Sequence, residues 1–196
     1  YGGNGNDVII GGSEADKLFG EDGDDVLIGY EGDDELFGGN GNDILRGREG
    51  NDVMSGGDGD DYLDGGDGDD LLNGDLGDDE ITTGSGNDIA RGGNGNDFIN
   101  AGTDGFFGGL SGNKTIYGDA GNDKIGGGDG DDTIYGGAGN DYIWARDGKN
   151  SIYGEDGDDR LLGGDGEDII EGGEGDDEIY GYRGNDNLIG GHGDDY

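Results

Sequence analysis

The chain has no cysteine, no proline, one histidine, one methionine, one tryptophan, and only 10 lysines and arginines among 196 residues. Without cysteine, no disulfide can staple a fold and no thiolate can bind a metal or attack a substrate, although the compartment stays open. With one histidine and no cysteine, zinc lacks its usual ligands. So few cations leave no basic patch for nucleic acid, and a net charge of −40 repels its phosphates. Long apolar runs are missing as well. Nothing approaches the roughly 20 residues a membrane helix needs, so no membrane span is expected. No leader-type segment opens the sequence. It starts on Tyr1 and stops inside a repeating pattern, so it is expected to be a piece of a longer protein.

What fills the chain instead is 55 glycines and 50 acidic residues, with only 28% hydrophobic. That composition alone is a disordered-segment profile. Collagen is excluded by the missing proline and by the spacing. The order of residues is periodic at nine. Gly2 to Ile10 reads GGNGNDVII, Gly38 to Arg46 GGNGNDILR, Gly65 to Asn73 GGDGDDLLN and Gly136 to Trp144 GGAGNDYIW. The pattern is G-G-x-G-x-D-x-U-x, with U a large aliphatic residue. Eleven such units fill residues 2–100. An eight-residue misfit runs from Ala101 to Gly108, nine more units fill 109–189, and a seven-residue fragment ends at Tyr196. A fixed short period means a solenoid.

The eighth positions run Ile9, Leu18, Leu27, Leu36, Leu45, Met54, Leu63, Leu72, Ile81, Ala90, Ile99, then Ile116, Ile125, Ile134, Ile143, Ile152, Leu161, Ile170, Ile179 and Leu188. One apolar residue in nine cannot line a helix face, and the glycine content argues against helix. The expectation is a three-residue strand at positions seven to nine, with the eighth inward and its neighbours outward. Two units would make one turn, so that each strand lies over the one two units earlier and two parallel sheets enclose a thin aliphatic layer. At roughly 4.8 Å per layer, about eleven turns would make a roll about 50 Å long. Burying one aliphatic side chain returns roughly 1.5–3 kcal/mol, about what ordering one or two residues costs. The core alone therefore cannot hold nine ordered residues per unit, and something bound to the folded state must supply the rest.

The sixth positions carry Asp7, Asp16, Asp25, Asp34, Asp43, Asp52, Asp61, Asp70, Asp79, Asp88 and Asp97, then Asp123, Asp132, Asp141, Asp159, Asp168, Asp177, Asp186 and Asp195, with Asn150 replacing one. Stacking would set each about one strand spacing from its counterpart two units on. Unit charges 4 Å apart repel by about 1 kcal/mol even in bulk water, so the ladders need cations between layers. The oxygens on offer, carboxylates and carbonyls of a glycine-rich turn, suit calcium, whereas magnesium demands a stricter octahedron. An EF-hand is ruled out by ligand spacing and missing flanking helices. Asn or Asp at the fifth position is expected to tolerate a left-handed backbone. Pairs with Asp at both ends number nine before the misfit and five after it, so about fourteen full calcium sites are expected, with weaker ones at Asn150.

This pattern resembles the repeats-in-toxin family of haemolysin-type calcium-binding repeats, and the resemblance covers essentially the whole chain. It implies an all-β, right-handed parallel β-roll in which the first six residues of each unit form a calcium-binding turn and the last three a strand. It also implies export through a one-step secretion channel, with the chain unfolded in calcium-poor cytosol and folded outside the cell. The protein would then be secreted or attached to the cell surface. An anionic membrane surface is disfavoured by charge unless calcium bridges to it.

The misfit is expected to interrupt one continuous roll, separating a block at 1–100 from a block at 118–196, with 101–117 irregular. Phe106 falls where a unit needs Asp, and Lys114 does so in the next unit, so each ladder would lose one carboxylate. The misfit is read as a decayed repeat plugged by Phe106 and Phe107, with a partner-docking site as the other reading. Tyr117, Tyr135 and Tyr153 fall at ninth positions of alternate units and should stack on one outer face. They are either support for the sheet or a contact surface for a glycan or a neighbouring roll.

No catalytic constellation stands out. His192 sits at a variable turn position, and Ser85 and Ser111 have no histidine in reach. The glycine-rich turns lack the lysine of a phosphate-binding loop, and their charge repels phosphate. No enzymatic activity is expected of the repeats. Three readings follow. The first is a calcium-folded rigid segment of a secreted or surface protein, the second the calcium-binding tail of a secreted protease or lipase, and the third a subunit of an extracellular filament or surface layer.

Overall fold

The computed structural model describes residues 1–101 and 112–196. Among them there is no helix. Strands alternate between an eleven-stranded and a ten-stranded sheet, both parallel throughout. Lys17–Asp22, Glu35–Asn40 and Val53–Asp58 are successive members of the first sheet, and Val26–Glu31, Ile44–Glu49 and Tyr62–Asp67 of the second. Pairing advances by 18 residues per rung, as in Leu27 beside Leu45 and Leu36 beside Met54. This is a parallel β-solenoid, its two sheets back to back across one aliphatic layer.

That layer is the column of eighth residues. From Leu27 to Ile170 every one of them is at most 2% exposed. At the two ends Ile9 and Ile179 are only partly buried, and Leu188 is 48% exposed, because one neighbouring rung is missing there. The period-nine pattern therefore becomes two parallel stripes of Leu and Ile, each stripe supplied by every second unit.

The strands are longer than expected. Most span six residues, from the seventh position of one unit to the third of the next, as in Val26–Glu31. Pairing skips only the first position: Thr82 pairs Asp64 and Gly84 pairs Gly66, while Thr83 and Gly65 make no rung pair. Backbone bonding then continues into the turn. The amide of Gly23 donates to the carbonyl of Asn40 at 2.8 Å, and that of Val26 to the carbonyl of Asp7 at 2.9 Å. The roll is thus hydrogen-bonded almost all the way round, which answers the main cost of an extended, glycine-rich backbone.

At the misfit the stacking step lengthens, while Ala101 still donates its amide to the carbonyl of Gly126 at 2.9 Å and is buried in the core. Ile89–Asn94 pairs directly with Thr115–Ala120, and Phe98–Asn100 with Lys124–Asp129, at a step of 26 residues instead of 18. Two expectations change with this. Thr115 to Tyr117 form a regular rung and are not part of an irregular 101–117 segment. The ladder through Asp97 loses no carboxylate, since its next member is Asp123. The two sheets, of eleven and ten strands, correspond to between ten and eleven turns. Phe106, Phe107 and Ser111 lie outside the described residues.

Candidate metal sites

Each turn brings three kinds of oxygen together, and the close approach of rungs decides which residues are allowed there. A Cβ on Gly50, at the fourth position, would fall on the carbonyl oxygen of Gly32 in the rung below, and Gly68 would meet Gly50 in the same way. The fourth residue is therefore glycine, with φ of 133° at Gly50 and 143° at Gly68. Glu14 is the exception, in the first turn of its column, where no earlier rung lies beneath it. At the first position, a Cβ on Gly38 would strike Oδ2 of Asp43 in its own unit and the carbonyl of Gly56 in the next rung.

The sixth-position aspartates point inward. Asp25 to Asp177 are buried at 1–3% exposure, Asp7, Asp16 and Asp186 are partly covered, and Asp195 is exposed at the end of the roll. Their two oxygens play different parts. Oδ1 reaches down and accepts the amide of the Asp below: Asp25 from Asp7 at 2.7 Å, Asp61 from Asp43 at 2.7 Å, Asp141 from Asp123 at 2.8 Å. Oδ2 is buried without any hydrogen-bond partner in fifteen of these residues. One such oxygen would be an oddity; a column of them is a row of buried anionic oxygens that a cation could bridge.

Burial pushes these carboxyls up, more strongly than the amide bonds and neighbouring charges adjust them. Asp61, Asp70, Asp79 and Asp132 are raised to about 7, and Asp43, Asp52, Asp97, Asp123, Asp141 and Asp159 to about 6. Desolvated like charges in a row resist ionising unless a cation or a proton joins them.

One sixth position of the ladder holds a cation belonging to the chain itself. Lys114 occupies a sixth position and its side chain is fully buried. Its Nζ donates to the carbonyls of Gly84 and Gly86 at 2.9 and 2.6 Å and lies 2.7 Å from Oδ2 of Asp88. Those groups are the second-position carbonyl, the fourth-position carbonyl and the sixth-position carboxylate of one unit. Among the described residues no three His, Asp or Glu side chains converge, so a cation here must draw on carbonyls. Hard oxygens of this kind, with carboxylates from two rungs, fit calcium.

Periodicity, burial and donor set all match one family. The chain belongs to the RTX calcium-binding nonapeptide repeat family. The sequence model of that family, four repeats long, matches residues 1–36, 37–72, 73–105, 109–134, 126–161, 135–170 and 162–196. No curated protein matches the chain. The protein is thus an array of RTX calcium-binding repeats wound into a β-roll.

Two features of these RTX turns escape a position-by-position reading. The fifth residues do not adopt positive φ; the second and fourth do, with Tyr30 at 86° and Arg48 at 93° among the non-glycines. The fifth side chain instead reaches up, its Oδ1 accepting the amide of the fifth residue above: Asn6 from Asp24 and Asp60 from Asp78, both at 3.0 Å. This is why the position is nearly always Asn or Asp. In addition, first and sixth positions depart together. Thr83 and Ala145, the two first residues that carry a Cβ within the repeats, belong to the units of Asp88, whose Oδ2 is held by Lys114, and of Asn150. The two departures fall in the same units, and that pairing is readable in the sequence.

On the outer face Tyr117, Tyr135 and Tyr153 stack with centroids 5.0 Å apart and planes within 12°. The Arg91 guanidinium lies 4.0 Å from the centroid of Tyr117. A second ladder, Tyr1, Phe19 and Phe37, occupies the same column near the other end, with spacings of 4.7 and 5.1 Å. Trp144 and Tyr180 lie on the opposite sheet, and His192 is on the surface near Glu174.

Proposed function

We propose that this roll folds on binding calcium outside the cell and serves as a rigid, non-enzymatic segment of a secreted or surface-attached protein. The observation that carries this is the column of buried carboxylate oxygens without partners. In a folded state without metal they would cost more than the thin core returns, and an ion between rungs turns the same oxygens into cross-links. The sixth-position aspartates from Asp7 to Asp195 would hold the ions together with second- and fourth-position carbonyls.

Direct stacking of Asp97 on Asp123 adds one pair to the fourteen expected. Nine pairs lie before the misfit, one across it and five after, so we infer about fifteen full sites. Flexible oxygen cages of this kind favour calcium over magnesium. In calcium-poor cytosol the chain would stay unfolded and exportable.

The test is circular dichroism of the isolated chain. In EDTA it should be disordered, and millimolar calcium should bring a β spectrum that equal magnesium does not. A β-rich spectrum in EDTA at neutral pH and low salt would sink the proposal. A calcium-binding tail of a secreted protease or lipase is a narrower form of the same reading, decided by the sequence that adjoins the roll in its parent protein. A filament or surface-layer subunit, associating through the outer aromatics, is decided by electron microscopy of the calcium-loaded chain.

A further inference from the structure

Lys114 is the largest fully buried side chain among the described residues, and it is a cation. A buried ammonium is costly unless all its protons are bound and its charge is matched. Here both conditions hold: its three protons find two carbonyl oxygens and one carboxylate. None of these acceptors is special to this rung. The same three positions recur from turn to turn, and in fifteen other units the carboxylate Oδ2 is buried without a partner.

We propose that Lys114 is a tethered cation that takes the place of calcium between its own rung and that of Asp88. Charge supports this. A regular rung pair sets two aspartates together and needs a divalent ion to balance them, whereas Asp88 with Lys114 is neutral as it stands. Location gives the device a use. Lys114 stands in the first rung after the misfit, where the stacking step lengthens from 18 to 26 residues. In the folded roll the junction between the two halves is therefore closed by the chain itself and needs no ion of its own. The Cβ of Thr83, in the same unit as Asp88, belongs with this arrangement, since first-position glycine is otherwise the rule beside an ion-ready carboxylate.

This inference rests on the reading that the other rungs hold calcium, and the experiment separates the two. Calcium stoichiometry and the calcium midpoint of folding are measured for the wild-type chain, Lys114→Asp and Lys114→Met. If the wild-type chain binds no calcium, the proposed function fails. If it binds calcium, Lys114→Asp should bind one or two ions more, because it creates Asp pairs with both neighbouring rungs, and its midpoint should rise severalfold. Lys114→Met, which keeps the stem and loses the charge, should also raise the midpoint severalfold while gaining no full site. Unchanged stoichiometry in Lys114→Asp, or an unchanged midpoint in Lys114→Met, overturns the tethered cation. A measurement on the wild-type chain needs no variant to fold. In calcium, an amine-reactive reagent should modify the exposed Lys17, Lys124 and Lys149 and spare Lys114; equal labelling of Lys114 refutes its place in the ladder.

Discussion

The roll has two turn columns, and they are built differently. The column that leads into the ten-stranded sheet runs Asp7, Asp25, Asp43, Asp61, Asp79, Asp97, Asp123, Asp141, Asp159, Asp177 and Asp195 without a break. The column that leads into the eleven-stranded sheet begins the same way, then continues Asp88, Lys114, Asp132, Asn150, Asp168 and Asp186. The first has ten Asp pairs and the second five. Both columns keep the same rung-to-rung backbone pairing, and the clearest difference between them is in the carboxylates. Asn150 is informative here. Its Oδ1 accepts the amide of Asp132 at 3.0 Å, as an aspartate would, so the ladder of amide bonds needs only one oxygen. The second oxygen is not used by that ladder, and in the proposed function it is the one that would meet the ion.

The largest effect should come from removing calcium altogether, because it empties both columns. The isolated chain should lose its β spectrum in EDTA, and the loss should reverse with calcium. Hydrogen exchange during a calcium titration should then sharpen the comparison. Rungs of the second column around Lys114 and Asn150 should gain protection at lower calcium than they would if every rung waited for an ion.

Next come substitutions that break one column at a time. Asp141→Asn removes Oδ2 from two Asp pairs in the unbroken column, while Asp132→Asn, flanked by Lys114 and Asn150, removes it from none. The first should lose one or two bound ions and raise the calcium midpoint by roughly threefold to tenfold, up to about 1.4 kcal/mol. The second should leave stoichiometry unchanged. Isothermal titration of the two variants decides this: equal losses would mean that the columns are equivalent, and no loss in either would mean that carbonyls alone hold the ions.

A pH change acts on both columns with a defined sign. The buried carboxyls are raised by desolvation to about 6–7, while in the unfolded chain they lie near 3.8. Between those values the folded state binds more protons than the unfolded one, so metal-free stability falls as pH rises through this window. In EDTA, lowering the pH from 8 to 5 should therefore increase β content, with protons standing in for ions. In calcium the same change should weaken binding, because protons and calcium compete for the same oxygens. Circular dichroism at both pH values with and without calcium checks the crossing of the two trends.

Much of this was legible in the sequence, because a nine-residue period repeated about twenty times leaves little freedom in choosing the core. Leu27 or Ile134 can only be inward, and Asp43 or Asp141 can only be in the turn. What was not legible depends on distances between rungs. The clash that makes Gly50 obligatory involves Gly32, 18 residues earlier, and the amide that makes Asn6 useful belongs to Asp24. Nor does counting in nines reveal that the rung of Asp97 pairs directly with that of Asp123, 26 residues on, so the expected pairing differs there. Lys114 read as a lost ligand because the pattern records the type of residue and not how far its side chain can reach.

The smallest effect concerns the outer face, where the comparison is between the tyrosine ladder and the bare stretch beside it. In the eleven-stranded sheet the ninth-position column runs Phe19, Phe37, Ser55, Asn73, Arg91, Tyr117, Tyr135, Tyr153. The rungs of Ser55 and Asn73 stack without aromatic rings, so rings are not required for the fold. Each offset ring pair adds roughly 0.5–1.5 kcal/mol, and the three tyrosines make two pairs. Tyr→Ser at all three should lower thermal stability in saturating calcium by about 1–3 kcal/mol, with stoichiometry unchanged. If that is the whole result, the ladder is support for a sheet with little core behind it. If association between rolls or binding to a glycan array disappears at full stability, the tyrosines are instead a contact surface, and the half-buried rings with their hydroxyls at the rim would be its recognition elements. Substituting Phe19 and Phe37 in the same way provides the control, since phenylalanine offers the stacking without the hydroxyl. A loss of association from the tyrosine set alone would assign the contact to the hydroxyls, and an equal loss from both sets would assign it to apolar area.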